Sequence, residues 1–230
     1  KQTFDGLIKA GMLNENIKLY LIDRAKEAKG VVFAGPPGSG KSTILNAFIE
    51  YIPKTRETLV IQENDELFTD QSGFMFKHVT HGFGGEPIVT LEDLGKMALV
   101  EGCNEFIIGE VKGGEMRYAA TLVNAGGWAA LTVHSTNAHE TLDKLADLIK
   151  YGSSYTFEES RRMLKSFDTI VYLEGFKVRE ILEVKGYNDD THAFDYINIY
   201  RYMPDEDTVN IDKVCQKKIE EVPADTVPVQ

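Results

Sequence analysis

Val31-Val32-Phe33-Ala34-Gly35-Pro36-Pro37-Gly38-Ser39-Gly40-Lys41-Ser42-Thr43-Ile44 is the stretch that decides the fold. Val31-Val32-Phe33 is a short buried-strand candidate. Gly35 to Ser42 matches G-x-x-x-x-G-K-[ST] in full. Ile44, Leu45, Phe48, Ile49 and Ile52 then follow at helical spacing, and Pro53 ends the run. The motif therefore lies after a strand and before a helix, where its mechanism requires it. Glycines let successive backbone N–H groups turn inward on phosphate oxygens. The helix adds the positive end of its dipole. Pro37, Gly38, Ser39, Gly40, Lys41, Ser42 and Thr43 are the expected phosphate-binding residues. Lys41 is expected to reach the β- and γ-phosphates of ATP, and the Ser42 hydroxyl to ligate Mg²⁺.

Upstream, Thr3 is placed to cap a short helix ending at Gly11. Asn14 is placed to cap a second, whose Ile17, Leu21, Ala25 and Ala28 share a face. Downstream, strand candidates at Leu59-Val60-Ile61, Phe106-Ile107-Ile108 and Ala130 to His134 alternate with helix candidates. Those helices are one after the Thr90-x-x-Asp93 capping box, one from Glu115 to Ala125 and one from Ala138 to Tyr151. Such alternation predicts an α/β fold with a mostly parallel sheet flanked by helices. Phe68 to Pro87, rich in Gly and His, reads as loops or short hairpins. After a helix capped by Thr156-x-x-Glu159, three strand-like runs follow without helices between them: Thr169 to Leu173, Val178 to Tyr187 and Ala193 to Tyr202. These are expected to be antiparallel. The reading divides the chain into a helical lead-in (1–30), a P-loop core (31–203) and an acidic C-terminal tail (204–230).

The 230 residues carry 25 Lys and Arg against 36 Asp and Glu, a formal charge of −11. Gripping nucleic acid takes clustered positive charge, so no sequence-specific nucleic-acid binding is expected. The two cysteines, Cys103 and Cys215, make neither a metal pattern nor a disulfide framework, which suits a reducing compartment. No apolar run approaches the ~18 residues of a membrane-spanning helix. The chain starts at Lys1 with no secretory leader in view, and the absent Met is read as the mark of a fragment.

Three further segments carry chemistry. Phe106-Ile107-Ile108-Gly109-Glu110 is an apolar strand ending in a carboxylate. Its strand is expected beside that of the P-loop, with Glu110 either holding Mg²⁺ through water or polarising the attacking water. Ile61-Gln62-Glu63-Asn64-Asp65-Glu66-Leu67 is an acidic cluster after a strand, and one or two of its carboxylates are expected to face the nucleotide. His134 ends an apolar strand, where an imidazole can meet a phosphate or a catalytic Glu.

With these segments in this order, the chain resembles the secretion, or traffic, ATPases of type II and type IV secretion, type IV pili and conjugation. The resemblance is nearest to the conjugation and tight-adherence branch. The family's Walker A motif, aspartate box, Walker B motif and histidine box correspond to Gly35 to Thr43, Ile61 to Leu67, Ile107 to Gly114 and Gly126 to Asn137. Gly109-Glu110-Val111-Lys112-Gly113-Gly114-Glu115 and Thr132-Val133-His134-Ser135-Thr136-Asn137 are the most specific phrases, and the likeness covers about residues 3 to 187. It implies a RecA-like P-loop NTPase core that hydrolyses ATP with Mg²⁺. It also implies a homo-hexamer in the cytoplasm, against the inner face of the plasma membrane, driving a membrane-embedded machine. Glu110, Glu63, Glu66 and His134 become the catalytic candidates, with Ser42 and Glu110 toward the metal.

Three departures bear on rate. Gln62-Glu63 stands where the family usually has Glu-Asp. Lys77, His78 and His81 occupy a region usually rich in arginine, and Lys112 replaces an arginine after Walker B. Glu63 is expected to take over part of the base's role, with Glu66 orienting the site; Gln62→Glu is then expected to speed turnover. Two rival readings are a hexameric DNA helicase or recombinase-like ATPase and a nucleotide-dependent assembly switch with little turnover.

Overall fold

The computed structural model describes residues 2–203, so the expected acidic tail (204–230) lies outside the described residues. In chain order the elements begin with α1 (Phe4–Lys9), α2 (Glu15–Glu27), β1 (Gly30–Ala34), α3 (Lys41–Ile49) and β2 (Thr58–Gln62). Then come β3 (Phe74–His78), β4 (Thr80–His81), β5 (Pro87–Val89), α4 (Leu91–Val100), β6 (Glu105–Val111) and α5 (Met116–Asn124). The chain continues through β7 (Trp128–Val133), α6 (Thr141–Tyr151), α7 (Phe157–Met163), β8 (Thr169–Glu174), β9 (Lys177–Asn188) and β10 (Ala193–Arg201).

Eight strands form one sheet in the order β10-β9-β8-β1-β7-β6-β2-β3. The six from β8 to β3 pair in parallel, and β9 and β10 add to β8 antiparallel. The expected α/β class and the antiparallel C-terminal strands are thus both present. One expectation is corrected: β7 intervenes between β1 and β6, so the Glu110 strand is not the neighbour of the P-loop strand. The Phe68 to Pro87 stretch, read as loops or hairpins, contains the β4–β5 hairpin and also β3, which extends the parallel sheet beyond β2.

Alternation along the strands divides the core. Val31, Phe33, Val60, Ile107 and Ala130 belong to one cluster, with Leu21 of α2 and Ile44 and Phe48 of α3. Their neighbours Val32, Ala34, Ile61, Ile108 and Leu131 belong to the other, with Leu94, Ala119, Leu145 and Phe167. Successive strand side chains point to opposite faces, and here each face is covered by helices. Phe48 is wholly buried between Phe33 (centroids 5.3 Å, edge-on) and Trp128 (6.2 Å, stacked). Truncating such a ring to Ala costs about 3–5 kcal/mol.

The capping signals hold. Thr3, Asn14, Thr90 and Thr156 all cap their helices, the last two as full capping boxes. α6 starts at Thr141 rather than Ala138, because Asn137 Oδ1 accepts from Glu140 N (2.9 Å) and holds the preceding turn.

Candidate functional site

The parallel strands bring their carboxyl ends to one edge, where the P-loop, the acidic segment, Glu110 and His134 meet. β1 runs through Gly35 to Ser39 into α3, whose N-cap is Gly40 in a left-handed conformation (φ 95°). No side chain caps α3, in contrast to α1, α2, α4 and α7. Its first-turn N–H groups are donors that such a helix end offers to an anion. Ser39 is buried, and its Oγ has no hydrogen-bond partner. Gly35 allows no side chain, because a Cβ there would run into the Leu173 carbonyl.

Lys41 is folded back onto the loop. Its Nζ donates to the carbonyl oxygens of Gly35 (3.0 Å) and Pro36 (2.8 Å) and lies 3.2 Å from His134 Nδ1. Burial pushes the Lys41 ammonium below the ordinary lysine range, while Glu110 and Glu66 pull it back up. His134 follows β7, and its Nε2 lies 2.6 Å from Glu110 Oε1. Lys41 has no acceptor, so Nδ1 must accept from it; Nε2–H then donates to Glu110. Lys41 at the start of α3, His134 after β7 and Glu110 near the end of β6 thus form a continuous polar chain.

The acidic segment divides in two. Glu66 Oε2 accepts from the Ser42 hydroxyl (2.5 Å). Glu63 instead pairs with Lys112, which also lies 3.3 Å from Glu110. That ammonium holds the Glu63 carboxyl below the usual carboxylate range, which makes it a weak base.

Gln62 anchors the segment. It is 2% exposed; its Oε1 accepts from the N–H groups of Glu66 (3.2 Å) and Leu67 (2.8 Å), and its Nε2 donates to the Leu67 carbonyl (3.0 Å). Asn46, four residues along α3 from Ser42, closes the same turn: its Nδ2 donates to the Glu66 carbonyl (2.5 Å). Glu115, nearly buried, accepts from the N–H groups of Lys112 (2.5 Å) and Gly113 (2.9 Å), and the Thr132 hydroxyl donates to the Gly109 carbonyl (2.6 Å). Sequence reasoning named Gln62, Glu115 and Thr132 within motifs but gave none of these four residues an anchoring role, and it left Asn46 out. The helical i, i+4 relation of Asn46 to Ser42 was the one available signal.

Lys77 is turned away from this edge, whereas His78 joins the acidic segment. Lys77 pairs with Glu101 (2.6 Å), and His78 with Asp65 (2.7 Å) and Gln62 (3.0 Å). A cavity of about 670 Å³ opens beside Pro36, Pro37 and His134, but Glu140, Asp143, Asp147 and Glu174 line it. Lys144 also lines it, and Asp143 is paired with Arg161, so the lining is acidic on balance, whereas the N-terminus of α3 presents uncapped N–H groups.

The family described as Type II/IV secretion system protein matches residues 1–163. An uncharacterised protein of Methanocaldococcus jannaschii is 25% identical over 211 residues, covering 88% of this chain and 76% of that protein. The type IV secretion system protein VirB11 of Bartonella quintana is 27% identical over 177 residues, covering 73% of this chain and 50% of that one. Among solved structures, the VirB11 ATPase of the Brucella suis type IV secretion system, in complex with sulphate, shares the fold. Its TM-score is 0.60 at 20% identity, over 93% of this chain and 56% of that one. The chain therefore spans about half the length of these VirB11 relatives. It belongs to the Type II/IV secretion system protein family.

Proposed function

We propose that this member of the Type II/IV secretion family is the ATP-hydrolysing core of a motor that powers secretion, conjugation or pilus assembly. One observation carries the reading: Lys41, His134 and Glu110 are linked across three strand ends, beside Ser42 and Glu66, at the uncapped start of α3. The segment from Pro37 to Thr43 receives the phosphates on backbone N–H groups, and the Ser39 hydroxyl is a donor in need of an acceptor. Lys41 leaves the two carbonyls for the β- and γ-phosphates. The hydroxyl of Ser42 and the carboxylates of Glu66 and Glu110 are the oxygen donors that Mg²⁺ takes, and they fit it. When bound, that ion neutralises charge on the phosphate oxygens.

Glu110 orients the attacking water and accepts its proton, and His134 holds Glu110 through Nε2–H. Glu63 acts through Lys112 as a positioning residue. Among the described residues no helix is long and apolar enough to cross a membrane. The working form is a homo-hexamer on the inner face of the plasma membrane. Phosphate release from ATP with and without Mg²⁺, in wild type and Lys41→Ala, tests the chemistry. Particle mass with a slowly hydrolysed ATP analogue, measured on a chain extended to the length of its VirB11 relatives, tests the ring. Magnesium-independent turnover, or a chain that stays monomeric under those conditions, counts against the motor.

A further inference from the structure

β8 and β9 form a hairpin on the side of β1 away from Glu66 and Glu110. Glu174 pairs with Lys177, which leaves Gly175 and Phe176 as a two-residue turn. Both have positive φ, 57° and 58°, as a type I′ turn requires. Gly and Asn suit such positions; an aromatic residue there is strained, and strain of this kind gathers at functional sites. Phe176 is moreover 41% exposed, so burial does not offset the strain.

The turn lies on the P-loop. A Cβ on Gly40 would meet the Phe176 ring at 2.9 Å and collide with the Met12 methyl. The Met12 carbonyl accepts from Val178 N (2.8 Å), which pins the hairpin to the segment between α1 and α2. Lys177 and Arg179, both over the Tyr202 ring, place two positive charges beside the turn.

A nucleotide whose phosphates sit at Lys41 and Ser42 has its terminal end toward Glu66 and Glu110. Its base then lies on the opposite side of the loop from Glu66 and Glu110, toward β8. Tyr172, also on that side, is 7% exposed and its hydroxyl donates to the Thr136 carbonyl (2.7 Å), so it offers no open face. Phe176 does. We propose that the exposed ring of Phe176 is the stacking platform for the base of the nucleotide held at the P-loop. This rests on the nucleotide reading above and adds the residue that holds the base.

The test compares ATP with inorganic tripolyphosphate, which has the phosphates and no base, by calorimetric titration. Phe176→Asn keeps a residue suited to the turn and removes the ring; Phe176→Tyr keeps the ring. Wild type and Phe176→Tyr should bind ATP more tightly than tripolyphosphate. Phe176→Asn should weaken ATP by about 10- to 100-fold, the range for one base–aromatic stack, with tripolyphosphate unchanged and thermal stability not lowered. Unchanged ATP affinity in Phe176→Asn overturns the proposal. So does an equal loss for both ligands, which would mean that the ring only props Gly40. A wild type that binds both ligands equally removes the base contact and leaves the P-loop reading standing. A wild type that binds neither removes both.

Discussion

The loop from Gly35 to Ser42 and the acidic edge carrying Glu63, Glu66 and Glu110 share one end of the sheet but are held by different forces. The loop is fixed by backbone: glycine conformations, a helix end without a side-chain cap, and carbonyls that hold Lys41. The acidic edge is fixed by side chains reaching between distant segments: Gln62 to Leu67, Asn46 to Glu66, Lys112 to Glu63, His134 to Glu110. A backbone cradle tolerates change except at its glycines and its lysine. A side-chain lattice gives way member by member, in proportion to burial.

The hardest blow to the loop is Lys41→Ala. It removes the ammonium proposed to meet the terminal phosphates, and removing a single group that stabilises developing charge costs about 100- to 1,000-fold. Phosphate release should fall by at least that much, and ATP affinity should drop too, with the melting temperature kept. Wild-type turnover in this variant would detach Gly35 to Ser42 from the chemistry.

The corresponding blow to the acidic edge is Glu110→Gln, set against Glu63→Gln. Loss of a positioned base costs about 100- to 10,000-fold. Glu110→Gln should lose turnover on that scale while binding ATP. Glu63→Gln should lose only a few-fold, because its carboxylate already serves Lys112. The opposite ranking would make Glu63 the base and leave Glu110 with no role beyond the metal.

The difference between the two regions also explains what could be read beforehand. The P-loop, the four helix caps and the alternation of strand and helix are local patterns, and each is present where the residues placed it. Strand adjacency is not local: nothing in Ile107-Ile108 or Leu131-Thr132 says that β7 separates β1 from β6. β3 was equally hidden, because an edge strand half open to solvent lacks the unbroken apolar run that marked β1. Within the site, the acidic candidates were legible as charged residues after strands. Their division was not, since it depends on Lys112 lying 49 residues from Glu63 and on a buried Gln62.

Gln62 reverses one expectation outright. As a neutral stand-in for a base, it would gain activity as Glu. As the anchor of the turn, it uses both ends of its amide: the oxygen accepts two N–H groups and the nitrogen donates to the Leu67 carbonyl. A carboxylate cannot donate, and it would be charged at a position 2% exposed. Gln62→Glu should therefore cost roughly 1–3 kcal/mol of stability, the penalty for an unsatisfied buried group. Turnover should fall with it as Glu66 loses its place beside Ser42. A higher melting temperature or faster hydrolysis would return Gln62 to the chemistry.

The smallest effect belongs to Lys112, and it asks whether the acidic edge is one lattice or several independent pairs. Its side chain is 47% exposed and that of Glu63 36%, so solvent screens their attraction. An exposed pair contributes roughly 0–1 kcal/mol. Lys112→Met should accordingly leave the melting temperature at neutral pH within a degree or two, and raised salt should shrink even that difference. The pH dependence has a definite sign. Lys112 lowers the Glu63 carboxyl in the folded protein, so the pair's contribution is whole above the unfolded carboxyl value. It is lost as pH falls through the lowered folded value, where wild type and variant should converge. Activity decides between lattice and pairs. Lys112 also touches Glu110, so if the edge is one lattice, freeing Glu63 disturbs the base, and turnover should fall by several-fold in Lys112→Met. Glu63→Gln should then produce the same loss, and the double variant no more than either alone, because coupled neighbours do not add. Additive losses would show two separate contacts on one ammonium, with Glu110 held by Lys112 and His134 independently of Glu63.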